Sequence, residues 1–596
     1  MSASASRHLG MGAIPHDGGV TFRVWAPHAR HVAVVGDFCG WDRNRKTMLR
    51  RDSARSGTWS ALVPGVDVGS EYRFLVRRGG PYLSKIDPFA RAVTHSAGNA
   101  VVFDPRRIDW GTEQFTMPGW DELVIYEIHI PTFAADPDGR GDFDHAIARL
   151  DHLAWLGVTA VEVMPPFEFA GTISWGYNPA HLFAIESSYG GPLAFARFVR
   201  EAHARGIAVI LDVVHNHLGP SDLDLWRFDG WGKRRYGGAY FYNDRRADTP
   251  WGATRPNYGR KEVRNFLRDS LVMWLEDFRV DGLRFDATNY IRSRWGDVHY
   301  GAHQIAAGHR YLASVTADLR SRQPWKLLIA EDMQCDPVVT QPSSSGGLGF
   351  HTQWDAGFVH PVRAALLAPR DEDRNVHAVA AAMAGTGLST AHERVVFTES
   401  HDEVANGKAR VPEEITPGNA DSWYARKRAA LGVAITMTSP GIPMLFQVQD
   451  FLEDGWFDDT RPLTWDKRHW HSGFLHLVRE LISLRRNRAG VTRGLTGRCA
   501  RIVSLDDRRK LIVVHRWDRG GPGDDTIVVL NLSTQLVRGH RVDFPHDGWW
   551  RLRCNTDSPQ FGVGVGFGSA CAGDVEARWG TAEVDIGPYA ALVYSQ

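Results

Sequence analysis

Ile207-Ala208-Val209-Ile210-Leu211-Asp212-Val213-Val214-His215-Asn216-His217 is the stretch that decides the architecture. Its first eight residues are apolar except for one aspartate. That is too continuous for a strand with one face in water, and fits a strand of a parallel sheet covered by helices on its outer face. Seven further runs share the character: Leu123–His129, Val158–Met164, Val280–Asp286, Lys326–Glu331, Phe350–Trp354, Val395–Thr398 and Ile442–Phe446. Amphipathic segments follow most of them, among them Phe143–Leu156, Pro192–Arg205, Lys261–Phe278 and Ala425–Met437. Eight apolar strands alternating with helices predict an α/β fold, a parallel (β/α)8 TIM barrel.

The barrel does not use the whole chain. At 596 residues there is too much sequence for one compact core. Before the barrel, Val20–Trp25, His31–Gly36 and Glu71–Val76 alternate apolar and polar positions between turn signals, which predicts a β-sandwich. After Arg485 the helical period stops, and Ile502–Leu505, Leu511–Val514 and Thr526–Leu530 return to short strands. Gly520–Gly523 and Gly562–Gly568 are expected to be loops among them. The expected division is therefore an N-terminal β-sandwich over 1–105, a (β/α)8 barrel over 106–490 and a C-terminal β-sandwich over 491–596.

Composition narrows the function classes. Lys+Arg and Asp+Glu are both 69, so no net positive field is available to attract nucleic acid or an anionic membrane. Five cysteines (Cys39, Cys335, Cys499, Cys554, Cys571) lie far apart with no C-x-x-C pair, which argues against a disulfide framework or a zinc site. The first residues carry no apolar leader, so a cytoplasmic location is expected. Ala429–Phe446 has no charge, but Ser439-Pro440-Gly441 interrupts it, so a buried helix, a turn and a buried strand are expected rather than a membrane span. The 22 tryptophans add modest weight to a sugar ligand, since indole faces stack on sugar rings as well as filling cores.

Ionisable side chains gather at strand ends, where βα loops build the sites of such barrels. Asp212 ends the third run, Arg284 and Asp286 the fourth, Glu331 the fifth, and His401 and Asp402 follow the seventh. A single aspartate there is commonly a helix cap. Four strand ends carrying such groups on one rim exceed what capping needs. Opposed carboxylates suit cleavage of a glycosidic bond through an oxocarbenium-like transition state. Arg284, two residues before Asp286, shares its strand face and favours the ionised carboxylate required of a nucleophile. Glu331, expected to be crowded by Asp286 and Asp402, would be the neutral acid. Asp402 would orient hydroxyls and stabilise positive charge on the ring.

Asp212–His217, Gly282–Asp286, Ala330–Glu331 and His401–Asp402 resemble, in order and spacing, the four conserved regions of the α-amylase superfamily, glycoside hydrolase family 13. The resemblance covers nearly the whole chain. It implies a retaining mechanism with Asp286 as nucleophile, Glu331 as acid/base and Asp402 as transition-state stabiliser. It also implies that Tyr177, in Trp175-Gly176-Tyr177-Asn178-Pro179, stacks beneath the sugar, and that His217 and His401 bind its hydroxyls together with Asp212 and Arg284. Val35-Gly36-Asp37-Phe38-Cys39-Gly40-Trp41-Asp42 resembles the signature of the carbohydrate-binding sandwich found before branching enzymes, debranching enzymes and trehalohydrolases, so the N-terminal sandwich is expected to be carbohydrate-binding-like and the barrel catalytic.

Within the superfamily, Glu399–Val404 with Gly407-Lys408, Gly347–Phe350 and Cys554–Asp557 resemble 1,4-α-glucan branching enzymes. His217–Pro220, Thr249–Ala253 and Ser188–Pro192 resemble maltooligosyltrehalose trehalohydrolases instead, whereas Ser400–Glu403 and Glu331–Met333 do not. The expected activity is branching, with trehalohydrolase or another α-glucan hydrolase as the alternative. An inactive glucan-binding protein should have lost a carboxylate, and none of the three is lost. His129-Ile130-Pro131 and Gln447-Val448-Gln449-Asp450 depart from the usual rim sequences. No phosphate-binding glycine loop occurs and no cofactor is expected. Asn216 matches a calcium ligand of some amylases, but the Leu218–Gly259 insertion is modest and no required metal is expected; nor are His215 and His217 taken as a metal pair. The expected partner is an α-1,4-glucan.

Overall fold

The computed structural model describes residues 10–53, 56–112, 114–135, 140–385, 387–563 and 572–596. Cys571 and most of the expected Gly562–Gly568 loop lie outside them. Eight strands close into a barrel in chain order. They are β1 (Ile125–Ile128), β2 (Ala160–Val163), β3 (Ala208–Val213), β4 (Gly282–Phe285), β5 (Leu327–Ala330), β6 (Thr352–Trp354), β7 (Arg394–Val396) and β8 (Ile442–Phe446). Each falls on its expected apolar run. The pairing is parallel, with Asp212 opposite Arg284 across β3–β4, and Arg284 opposite Ile329 across β4–β5.

By internal contacts the chain forms two compact units, residues 1–115, 129–148 and 163–350, and residues 116–128, 149–162 and 351–596. The first unit contains the N-terminal sandwich. One sheet joins Gly12–His16, Gly19–Trp25, Thr58–Pro64 and Arg50–Arg51; the other centres on His31–Gly36 and Glu71–Arg77. Phe22 of the first sheet packs edge-on against Tyr72 of the second at 4.8 Å between ring centroids, which ties the two together. In the turn after His31–Gly36, the Asp37 carboxylate accepts the Glu71 N–H at 2.9 Å. Trp41, at the same turn, is 38% exposed.

The helix Lys261–Glu276 buries Val263, Phe266, Leu267, Ser270, Leu271 and Trp274, the three-and-four spacing of one helical face. The single helix expected over Phe143–Leu156 is two, Phe143–Ile147 and Leu150–Leu156. Phe143, Ala146, Leu150 and Leu153 keep one apolar spacing across the break, so the pattern alone joins them.

Two carboxylates are buried in the hairpin Phe167–Phe169/Pro179–Ile185 and the turn after it. Burial first, and the Glu186 charge second, push Glu168 up to about 8 from the ordinary 4.5; burial also raises Glu186. The folded chain thus holds a proton that the unfolded chain gives up near pH 4.5. The associated stability is full below that pH and is lost as pH rises through about 8. Thermal melts between pH 5 and 8.5 are expected to show a falling Tm. Glu168→Gln should remove most of that slope, a difference of about a few kcal/mol at the alkaline end. An unchanged slope in the variant would refute this assignment.

In the second unit, the uncharged Ala429–Phe446 stretch is the end of the helix Trp423–Thr438, the turn Ser439–Gly441 and β8. Among the described residues no helix is long and apolar enough to cross a membrane. The C-terminal domain pairs Cys499–Asp506, Leu511–Trp517, Thr526–Asn531, Ala590–Ser595, Gly548–Asn555 and Val575–Ala577 in one sheet. Val537–Asp543 and Thr581–Ile586 form a second, and Val542, Val584 and Ile586 share a core with Val513, Val529 and Trp550 of the first. Lys427 of the Trp423–Thr438 helix reaches this domain, its ammonium 2.5 Å from the Asp557 carboxylate with both side chains buried. Arg516 donates to the Thr438 carbonyl at the end of the same helix.

Candidate active site

β3, β4 and β5 deliver their carboxylates to one guanidinium. Arg284 is fully buried. Its Nη1 lies 2.7 Å from Asp212 Oδ2 and 3.1 Å from Asp286 Oδ1, and its Nη2 lies 3.1 Å from Glu331 Oε2. The parallel register accounts for this convergence. Asp212 sits directly across from Arg284, Asp286 follows two residues later on the same face, and the Glu331 N–H bonds the Phe285 carbonyl at 3.0 Å as β5 runs out beside β4. Burial alone would lower the Arg284 pKa, but the charges of Asp212, Tyr177, Glu331 and Asp286 outweigh it and raise it well above the ordinary value. The guanidinium is therefore a permanent cation holding three acids from three strands.

Each acid is also held from a second side. Asn216 Nδ2 donates to Asp286 Oδ2 at 2.9 Å. The Ala287 N–H donates to Glu331 Oε2 at 2.7 Å, as the chain turns through Ala287 into the helix Thr288–Arg292. The Tyr177 hydroxyl donates to Asp212 Oδ2 at 2.5 Å, and the Arg284 guanidinium lies 5.8 Å from the centroid of the Tyr177 ring. The charged group against Glu331 is the Arg284 guanidinium, 3.1 Å from Oε2. The cause is register: β4 places the guanidinium between its own aspartate and the fifth-strand glutamate.

His217 and His215 diverge once β3 ends at Val213. His215 turns inward to Tyr311 Oη at 2.8 Å and Ser270 Oγ at 3.3 Å. His217 stacks on Trp251, with ring centroids 4.6 Å apart. Burial lowers His215 to about 3 and His217 to about 4, so both are neutral near pH 7. The amide oxygen of Asn216, considered as a calcium ligand, already accepts the His217 N–H at 2.9 Å. Among the described residues no group of three His, Cys, Asp or Glu side chains has the geometry to hold a metal.

The second unit carries the groups at the ends of β1, β7 and β8. His401 Nδ1 lies 2.5 Å from Glu127 Oε1 of β1, and the His401 N–H donates to Glu127 Oε2 at 3.0 Å. This pairing fixes the imidazole and leaves Nε2 3.6 Å from Asp402 Oδ2. The Asp402 side chain is 48% exposed, reachable from solvent. After β8, the departure at Gln447–Asp450 has a compensating structure. Val448 takes φ +58°, a conformation that suits glycine, and its side chain is fully buried. Tyr126 donates to Asp450 Oδ1 at 2.6 Å and accepts the Val448 N–H at 2.6 Å, while His152 Nε2 lies 2.8 Å from Asp450 Oδ2.

Sequence reasoning did not single out Glu127 or the pairing of Trp251 with His217; it weighed Asn216 only as a calcium ligand and named Asp450 only within a rim departure. For Glu127 a signal existed, a lone carboxylate inside the apolar run Leu123–His129. Trp251 lay in the quoted Thr249–Ala253 motif, but its stacking on His217, 34 positions away, is made only by the fold.

Three family profiles match the chain: "Carbohydrate-binding module 48 (Isoamylase N-terminal domain)" over residues 9–90, "Alpha amylase, catalytic domain" over 130–228 and "Alpha amylase, C-terminal all-beta domain" over 502–596. The chain is 31% identical to the 1,4-alpha-glucan branching enzyme GlgB of Corynebacterium jeikeium over 572 residues, covering 92% of this chain and 78% of that one. It is 31% identical to the enzyme of the same name from Marinobacter nauticus, covering 93% and 90%. Among solved structures, a putative alpha amylase from Salmonella typhimurium superposes with TM-score 0.73 at 24% identity, covering 98% of this chain and all of that one. A pullulanase from Anoxybacillus sp. LM18-11 complexed with maltotetraose superposes with TM-score 0.77 at 20% identity, covering 100% and 88%; both share the fold. With its three-part organisation and its similarity to these enzymes over more than nine-tenths of its length, the chain belongs to the 1,4-α-glucan branching enzyme family of the α-amylase superfamily.

Proposed function

We propose that the protein cleaves an α-1,4-glucan with retention and passes the released chain to a glucose 6-hydroxyl, forming an α-1,6 branch. The observation that carries the reading is the single guanidinium of Arg284, hydrogen-bonded to Asp212 and Asp286 and ion-paired with Glu331. A carboxylate beside a second carboxyl group is the equipment of a retaining glycosidase-type reaction. Asp286 Oδ attacks the anomeric carbon while Glu331 gives its proton to the departing 4-oxygen. The glycosyl–Asp286 ester forms as the C1–O4 bond breaks. Asp402 supports the positive charge at the ring, and Tyr177, Asp212, His217 and His401 hold the sugar. In the second half, Glu331 takes the proton of the acceptor 6-hydroxyl, whose oxygen attacks C1 and frees Asp286. Atoms and charges balance without a cofactor. The cytoplasm is the compartment this reading implies, and Cys39, Cys499 and Cys554 are free thiols, as a reducing compartment favours.

Transfer and hydrolysis differ only in which hydroxyl attacks the ester. Purified protein incubated with linear amylose and followed by proton NMR is expected to gain α-1,6 anomeric signal with little new reducing end. Growth of reducing ends without that signal would replace branching by hydrolysis. Release of trehalose from maltooligosyl-trehalose would establish the alternative.

A further inference from the structure

The most exposed large apolar side chain among the described residues is Trp579, at 93%, and its backbone adds a second anomaly. Arg578 and Thr581 exchange both backbone hydrogen bonds, at 2.9 and 3.1 Å, around a two-residue loop of Trp579 and Gly580. Both loop residues have positive φ, +57° and +72°. That hairpin turn is ordinarily built with Asn-Gly or Asp-Gly, because a bulky residue is strained in the left-handed region. Neither burial nor backbone preference accounts for tryptophan here. A strained residue with an exposed indole points to a task outside the fold itself.

A second indole is presented beside it. Gly580 N–H bonds Asp547 Oδ1 at 2.6 Å, which docks the Trp579 turn on the turn that leads into the strand Gly548–Asn555. In that strand Trp550 is fully buried, so its neighbour Trp549 projects outward and is 55% exposed. Trp549 pairs across the sheet with Glu576. The outward side chains around the indoles neutralise one another: Arg551 bonds Asp574 at 2.6 Å, and Arg578 bonds Glu576 at 2.6 and 3.0 Å. Arg551 also lies 5.8 Å from the Trp549 ring centroid. The patch thus offers apolar ring faces bordered by two internally neutral ion pairs and the Asp547 carboxylate, with no excess positive charge. That suits a neutral polyhydroxylated chain and gives no purchase for a phosphate polymer or an anionic lipid surface.

We infer that Trp549 and Trp579 form a platform on the C-terminal domain that holds an α-1,4-glucan chain away from the catalytic carboxylates. The choice of glucan rests on the proposed function. Sugar rings stack on the two indoles, and hydroxyls exchange hydrogen bonds with the Arg551–Asp574 and Arg578–Glu576 pairs. Short substrates that fill only the catalytic site do not need the platform; long ones gain residence.

The test uses the full-length protein with linear amylose as probe. Amylose is expected to protect the Trp549 and Trp579 indoles from oxidation by N-bromosuccinimide, read by peptide mass spectrometry. Trp549→Ala and Trp579→Asn are each expected to weaken amylose binding about tenfold, the usual cost of losing an aromatic anchor. Turnover of short maltooligosaccharides should stay unchanged. Trp579→Asn should also melt at the same temperature as the parent or higher, because asparagine suits the turn; a lower Tm would argue that the indole serves the fold. Indoles oxidised equally with and without amylose would overturn the platform, as would a dimer in sedimentation that Trp579→Asn dissociates. If the parent forms branches but neither indole is protected, only the platform falls. If both are protected and no α-1,6 linkage forms, the platform stands and the branching reading falls.

Discussion

Asp286→Asn is expected to form α-1,6 linkages from amylose at least about a thousandfold more slowly than the parent chain, the scale of loss when a covalent nucleophile is removed. An amide oxygen cannot make the glycosyl ester, so the first half-reaction has no acceptor for C1. The substitution is nearly the same shape, which keeps the site assembled. Its one local conflict is a donor count: Asp286 accepts from Asn216 at 2.9 Å and lies 3.1 Å from Arg284, and a carboxamide cannot accept at both positions. That should cost about 1 kcal/mol, read as a small drop in Tm. Linkage formation by NMR and a melt on the same sample decide the matter. Retention of a tenth of the activity would remove Asp286 from the chemistry.

The second large effect is on stability. Arg284→Met is expected to lose about 3–5 kcal/mol in urea unfolding, because it leaves three acids in the barrel without their shared cation. Arg284→Lys keeps a charge but not the fork that reaches acids on three strands, and should retain more stability than activity. Adding Asp212→Asn to Arg284→Met should recover part of the loss, since removing one acid relieves the others; independent sites would simply add their costs. A mild effect from Arg284→Met, or strict additivity in the double variant, would show that the acids are held by something other than the guanidinium.

Much of the architecture could be read from the chain before folding, and the reason is physical. A strand buried on both faces must be apolar along its whole length, so Ile207–Val214 and its seven counterparts announce themselves, and polar residues at their ends stand out against that background. Asp212, Arg284, Asp286 and Glu331 were found that way, and the structure brings those four together. What could not be read is the set of partners that register creates. His401 is held by Glu127, 274 residues earlier, and Asn216 reaches Asp286 across 70. Local pattern carries no information at such separations. The positive φ of Val448 and Trp579 is likewise invisible in composition, because tertiary contacts override what each residue prefers.

The Lys427–Asp557 pair has a consequence for how the gene can be cut. An expression fragment ending before the C-terminal strands would keep the lysine on the helix Trp423–Thr438 and discard its carboxylate. It would also discard Arg516, which caps the Thr438 carbonyl. The severed piece would carry a buried ammonium without its counter-charge. Truncation upstream of the C-terminal strands therefore has to respect a joint at this helix that bears charge on both sides.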